Sequence, residues 1–236
     1  MLKKIMALSA AALLGLAGLT GCTAGEVGAN SSVPGTDTGK SGSGDTSTAA
    51  KLTGSLVMAG STSMEKVCGA LGEAFGDKHP ELTIDLQATG SGAAITALND
   101  GTAQIGNLSR AVKDSENPDG KYEAITIALD GIAIIVHKNN AAADLTAEQL
   151  ASIFKKEVTN WKDVGGPDKA ITVIGRETGS GTRDGFEEVV KVKDACQYDA
   201  TLDSTGAVVA RVASDEGAIG YVSFASVGDG VKALKV

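Results

Sequence analysis

The chain is poor in the residues that build most chemical centres. Its 236 residues include three cysteines and two histidines, little material for zinc ligation or a disulfide framework. Positive charge is in deficit, 21 Lys and Arg against 29 Asp and Glu, a net charge of −8. That balance argues against a general nucleic-acid binder, which carries a basic surface. The apolar run 5–19 is too short for a comfortable membrane span, which takes about 20 residues. Neither a Lys-Thr-Gly element nor a Gly-x-Ser-x-Gly elbow occurs, so two common serine-nucleophile layouts lack their parts. What is present is 42% hydrophobic residues and 31 glycines without a collagen period, enough apolar content for one or two loop-rich globular domains.

The first residues carry an address. Lys3 and Lys4 precede the apolar run 5–19, as in a secretory signal. The run ends in Leu19-Thr20-Gly21-Cys22, which resembles the lipobox of bacterial lipoproteins. That resemblance implies cleavage before Cys22, lipidation of its thiol, and enough acyl chains for stable anchoring; a plain signal peptide with a coincidental cysteine is the alternative. Segment 1–21 is therefore read as a signal peptide, and 22–50 as the lipidated Cys22 with a linker. Residues 23–50 hold 16 Gly, Ser or Thr among 28 and no aromatic, a composition that favours a flexible tether with a reach of roughly 30 Å. Thr38-Gly39-Lys40-Ser41 within it imitates a phosphate-binding loop, but Pro34 stands where that motif requires its first glycine.

From Leu52 onward one unit recurs: a strand, a Gly/Ser/Thr turn, and a helix. Strand 55–59 leads into Gly60-Ser61-Thr62-Ser63 and a helix with Met64, Val67, Leu71, Ala74 and Phe75 on one face, with Thr62 and Glu65 spaced as a capping box. Strand 82–88 leads into Thr89-Gly90-Ser91-Gly92 and a helix that Gly101 can end. Strand 170–175 leads into Arg176-Glu177-Thr178-Gly179-Ser180-Gly181-Thr182 and a helix with Phe186, Val189 and Val190. This alternation predicts an α/β architecture with mainly parallel sheets. Ordinary N-capping explains any one such turn. Three together point to anion binding, because helix N-termini offer unpaired N–H groups and partial positive charge, glycine admits close approach, and hydroxyls add donors. In an open α/β sheet these turns lie where ligands bind.

Arginine is scarce, four residues against 17 lysines. Arg110 follows Leu108-Ser109, and Arg176 and Arg183 flank the third turn. A guanidinium grips a tetrahedral oxyanion bidentately, which lysine cannot do; surface ion pairing is the alternative, favoured for Arg211. Asp130 precedes the apolar strand 132–136. An ionised carboxylate beside an anion site repels a fully ionised sulfate but accepts a hydrogen bond from a protonated phosphate; a turn aspartate is the plain alternative.

At these residues the sequence resembles the phosphate-binding lipoproteins of bacterial phosphate ABC transporters. The similarity runs over 54–236 and is carried by Ala59-Gly60-Ser61-Thr62-Ser63, Gly90-Ser91-Gly92, Ser109-Arg110, Asp130-Gly131, Leu145-Thr146, Ile153-Phe154, Asn160-Trp161, Arg176-Glu177, Gly179-Ser180-Gly181-Thr182 and Gly217-Ala218-Ile219-Gly220-Tyr221-Val222. The resemblance implies a type II periplasmic-binding-protein-like fold, with two α/β lobes joined by strands crossing near 132–136 and 219–224. Lobe one would comprise 54–131 plus 225–236 and lobe two 137–218. Family members continue beyond the equivalent of Val236 to complete lobe one, so an open edge is expected there. Carried over, Thr62, Ser63 and Ser91 donate from lobe one with Arg110 supplying charge; Arg176, Ser180, Gly181 and Thr182 close from lobe two; and Asp130 reads the phosphate proton. Other branches of the family place their acidic residue where Arg110 stands. The implied partners are inorganic phosphate, a membrane permease with its cytoplasmic ATPase, and the membrane through the lipid anchor, with no nucleic acid and no cofactor.

Other readings remain in view. The same fold could take sulfate, molybdate or another oxyanion, or the chain could be a lipid-anchored adhesion or signalling module. Ser63-Met64-Glu65-Lys66 matches Ser-x-x-Lys but has no companion motifs. His79 before Pro80 and His137 at a strand end read as structural, so the chain is expected to be non-catalytic with no metal site. Cys68 and Cys196 are expected as free thiols, and Trp161 as a packing residue.

Overall fold

The computed structural model describes residues 51–142 and 144–236. The expected signal sequence, Cys22 and linker therefore lie outside the described residues. The first repeat unit gives β1 (Gly54–Gly60) and α1 (Glu65–Lys78), and the second gives β2 (Leu82–Ala88) and α2 (Ser91–Asn99), followed by β3 (Ile105–Asn107). Both β2 and β3 pair in parallel with β1, giving the order β2-β1-β3. We call this sheet and its helices lobe one. Gly60 is required at the end of β1, because a Cβ there would lie 2.0 Å from the Asn107 carbonyl oxygen.

Residues 123–131 have no regular structure and lead into β4 (Ile132–His137), α3 (Ala147–Phe154), β5 (Thr172–Arg176), α4 (Gly181–Val189), β6 (Ala200–Leu202), α5 (Thr205–Ala213), β7 (Ala218–Ser223) and β8 (Val231–Leu234). Their sheet, lobe two, runs β6-β5-β7-β4-β8. It is mixed: β5 is parallel to β6 and β7, whereas β4 is antiparallel to β7 and β8. Ile-Ala-Ile-Ile-Val-His and Ala-Ile-Gly-Tyr-Val-Ser fill its central strands because both faces are covered. One face packs Trp161, Phe154, Phe186 and Tyr221; the other packs Val208 and Val212 of α5 against Ile135 and Ile174.

The structure corrects three sequence expectations. Residues 225–236 do not return to lobe one. Strand β8 pairs with β4 from Ile134↔Leu234 to His137↔Val231, and Leu145 N–H donates to the Lys235 carbonyl, so the apolar face of β8 is spent in lobe two. Segments 132–136 and 219–223 lie in central strands of the lobe-two sheet, and β4 is where the chain enters that lobe from lobe one. The Thr62–Glu65 capping box does not form: α1 begins after Met64, which makes no side-chain cap, and the Thr62 hydroxyl is engaged elsewhere. Third, the α1 stripe is exposed: Val67 is 44%, Leu71 53% and Phe75 40% accessible, since the described residues pack nothing over it.

Candidate anion site

The strand-to-helix turns of the two lobes meet. In lobe one, the turn after β1 buries Ser61 and Thr62, and the turn after β2 passes through Gly90 at φ +101° to Ser91, which is fully buried. The positive φ is a glycine conformation, and it brings the Gly90 N–H onto the Gly60 carbonyl at 2.8 Å. Ser91 Oγ accepts from Ser109 N–H at 3.2 Å, and Ser61 Oγ donates to Ser109 Oγ at 2.8 Å. Neither α1 nor α2 has a side-chain cap, so their first amides and positive ends are left for another partner.

In lobe two, β5 ends at Arg176, and the chain turns through Gly179 at φ +95° into α4. Ser180 caps α4 by accepting from Arg183 N–H at 3.3 Å. The short strand β6 leads through Ser204, which caps α5, to Thr205. Arg176 is buried, and its guanidinium is held from behind: Nε and Nη2 donate to the Glu177 carboxylate at 2.8 and 2.9 Å, and Nη1 donates to Thr205 Oγ1 at 3.1 Å. Behind it, the Arg176 amide donates to Tyr221 Oη, Arg183 Nη1 donates to the Arg176 carbonyl, and Arg183 pairs with buried Glu187. Burial pushes the Tyr221 phenol up to about 12, so it stays protonated there.

The seam between the lobes is a chain of hydroxyls. Ser63 Oγ lies 2.7 Å from Thr182 Oγ1 and 3.2 Å from Thr205 Oγ1; Thr62 Oγ1 lies 2.9 Å from Thr205 Oγ1 and accepts from Thr205 N–H at 3.1 Å. Gly92 N–H donates to the Gly179 carbonyl at 2.9 Å. Gly181 sits so close that a Cβ there would lie 2.3 Å from Ser91 Oγ and 2.6 Å from Ser109 Oγ. Among the described residues, no carboxylate bonds any of these hydroxyls. Neither the 340 Å3 cavity beside Asn117 and Tyr122 nor the 280 Å3 groove between α1 and β2 is lined by them.

The structure therefore brings together seven of the expected residues: Thr62, Ser63, Ser91, Arg176, Ser180, Gly181 and Thr182. It does not bring Asp130 to them. That side chain is exposed, and among the described residues its Oδ1 accepts only from its neighbour Gly131 N–H, the plain turn role. Arg110 is turned away from the seam. Nη1 and Nη2 donate to the Glu116 carboxylate at 2.8 and 2.7 Å, and Nε lies 2.9 Å from Asp184 Oδ2 of α4. The Nε contact is one of charge, since the N–H is not aligned for a hydrogen bond. Hydrogen bonding with Glu116 raises the Arg110 pKa and holds the Glu116 carboxyl below its usual range. Ser61, whose contact with ligand the sequence leaves open, also joins, as do Ser109 and Thr205, not read as site residues; beside Ser61, Asn107 is buried and its Nδ2 has no partner among the described residues. For Thr205 the signal is Asp203-Ser204-Thr205-Gly206, a fourth Ser/Thr/Gly turn that follows a strand of three residues, too short to register as one.

Two α/β lobes apposed through turns rich in hydroxyls and helix N-termini form an arrangement suited to a small polar ligand between lobes. Residues 45–234 match the family model for the PBP superfamily domain, and the chain belongs to that superfamily. It is 33% identical over 180 residues to the phosphate-binding protein PstS of Bacillus subtilis, covering 76% of this chain and 60% of that protein. A Clostridium perfringens protein solved with bound phosphate, described as a phosphate ABC transporter substrate-binding protein, matches with 42% identity and a TM-score of 0.74, covering 78% of this chain and 76% of the other. An ABC-type phosphate transport receptor from Vibrio cholerae matches with 35% identity and a TM-score of 0.59, covering 76% and 75%. The chain thus spans less than two thirds of these curated relatives, 60% of the Bacillus subtilis protein and 40% of one from Streptococcus pneumoniae.

Proposed function

We propose that the protein captures inorganic phosphate between its lobes and hands it to an ABC importer, a permease with its cytoplasmic ATPase, without catalysis. The observation that carries this reading is the hydroxyl seam, where turns from both lobes converge with Arg176 behind them, in a chain 42% identical to a protein solved with phosphate. Serine and threonine hydroxyls both donate and accept. They suit an anion that carries negative oxygens and, at neutral pH, a proton. The importer context follows the names of the relatives. Work at the extracytoplasmic membrane face, anchored through Cys22, follows from Lys3, Lys4 and Leu19-Thr20-Gly21-Cys22, and loss of membrane association in Cys22→Ser is its test.

Titration calorimetry with phosphate and sulfate at pH 5 and pH 8 tests the capture. Saturable phosphate binding at both pH values is expected. A folded chain that ignores phosphate sinks the reading. A second reading, a receptor for another oxyanion, has one observation in its favour: with Asp130 outside the seam and no carboxylate bonded to its hydroxyls among the described residues, the acceptor expected to discriminate against sulfate is not in place. Sulfate binding tighter than phosphate would select it.

A further inference from the structure

We propose that Thr205 is a ligand-contacting residue of this site, reaching the anion from α5 with its hydroxyl and its backbone N–H in either protonation state of phosphate. The proposal rests on the phosphate reading above and extends it to a helix that the repeat pattern did not include. Thr205 is 4% exposed. Its side chain is not spent on capping, because Ser204 accepts from Ala207 N–H. Instead its Oγ1 faces Thr62 and Ser63 of lobe one at 2.9 and 3.2 Å while accepting from Arg176 Nη1 at 3.1 Å.

Thr182, by contrast, reaches Ser63; Thr205 reaches both lobe-one hydroxyls and the guanidinium.

A hydroxyl has one proton and two acceptor positions. Arg176 can only donate, so it occupies one acceptor position of Thr205. One proton and one acceptor position remain, both turned toward Thr62 and Ser63. An anion seated among these hydroxyls replaces the Thr205 contacts to Thr62 and Ser63. The Thr205 O–H then donates to an ionised phosphate oxygen, or its free acceptor position takes the proton of a P–OH. The Thr205 N–H, now on Thr62 Oγ1, is released at the positive end of a nine-residue helix. Because one oxygen can serve both forms of phosphate, Thr205 supplies the acceptor that Asp130 does not.

Thr205→Val keeps the shape and removes the hydroxyl, and Thr205→Ser keeps the hydroxyl; Thr205→Ala replaces the valine variant if that chain does not fold. The purified full chain and each variant are titrated with inorganic phosphate at pH 5 and pH 8, alongside thermal unfolding without anion. Loss of one neutral donor predicts a roughly tenfold weaker Kd in Thr205→Val, with Thr205→Ser near the parent. Because the hydroxyl serves both forms, the loss in Thr205→Val appears at pH 5 and at pH 8 and is reversed in Thr205→Ser, a rescue that is read against the unfolding midpoints without anion. Phosphate binding by Thr205→Val at the parent's Kd at both pH values overturns the proposal and leaves phosphate capture standing. A parent chain that is folded and binds no phosphate overturns both.

Discussion

Gly181 is where residue chemistry decides closure. It is the first residue of α4, and the missing side chain lets the lobe-two backbone reach Ser91 and Ser109. Both hydroxyls are hydrogen-bonded within lobe one, so neither can swing aside freely. Gly181→Ala places a methyl group into that contact. Overpacking of this kind costs about 1–3 kcal/mol, charged here to the seam rather than to either lobe's own core. The expected result is a chain whose ligand-free unfolding midpoint is near the parent's and whose phosphate affinity falls roughly 5- to 150-fold, read by calorimetry and thermal unfolding. Unchanged affinity would mean that closure does not bring Gly181 onto the serines. The same residue shows what could be read beforehand. Gly179-Ser180-Gly181-Thr182 announces a turn before a helix, and its chemistry is visible in the sequence. That Gly181 faces Ser91 from the other lobe is not, because contacts across a seam depend on the packing of two separately folded sheets.

At the scale of elements, the loop after β3 and the start of α4 form an ionic strap between the lobes. Asp184 on α4 meets Arg110 Nε and Lys113 Nζ of lobe one at 2.9 and 2.7 Å, and Glu116 holds Arg110 from the other side. Arg110 is thereby read differently from its sequence expectation: the same guanidinium that suits an oxyanion suits two carboxylates, and the proximity of Glu116, six residues on, gives the carboxylates the advantage. Exposed pairs contribute little, typically 0.2–1 kcal/mol, but networks with a nearly buried arginine exceed isolated pairs. Asp184→Asn is therefore expected to loosen lobe closure, seen as a larger radius of gyration without phosphate and a weaker salt dependence of phosphate binding. The pH dependence has a definite sign. Hydrogen bonds from Arg110 hold the Glu116 carboxyl below its usual range, so the folded chain keeps Glu116 ionised where the unfolded chain protonates it. Its contribution is present above the ordinary carboxylate value, near 4.3, and is lost as pH falls through the lowered folded value. Glu116→Gln should flatten the stability profile in that acid window and leave its shape above pH 6 unchanged; an identical acid limb in parent and variant would remove Glu116 from the strap.

For the whole molecule, the two lobes are unequal. Lobe two encloses two apolar clusters, one around Trp161, Phe154 and Tyr221 and one around Ile135, Ile174 and Val208. Lobe one buries smaller groups, including Met58, Ala59, Cys68, Ala94 and Ile95, and leaves Val67, Leu71 and Phe75 of α1 accessible. The sequence shows why one half was easier to read. Continuous apolar runs such as Ile-Ala-Ile-Ile-Val mark strands buried on both faces wherever they pair, whereas the α1 stripe promises burial without naming what covers it. The return of β8 to lobe two was hidden for a related reason: Val-Lys-Ala-Leu alternates like any half-buried strand, and only pairing with β4 selects its sheet. Stability is set by buried apolar area, so cooperative units with small cores open before those with large ones. Native-state hydrogen exchange is therefore expected to divide the molecule. Amides of β4, β5 and β7 should exchange only by global unfolding, and those of β1, α1 and β2 through a cheaper opening confined to lobe one. Phosphate should slow the second class more than the first, because a ligand held, as proposed, by Thr62, Ser63 and Ser91 would stabilise lobe one by an amount that grows with the logarithm of free ligand over Kd. Equal protection in both sheets without phosphate would show that the seam makes them one cooperative unit, with the strap and the hydroxyl chain supplying what the smaller core does not.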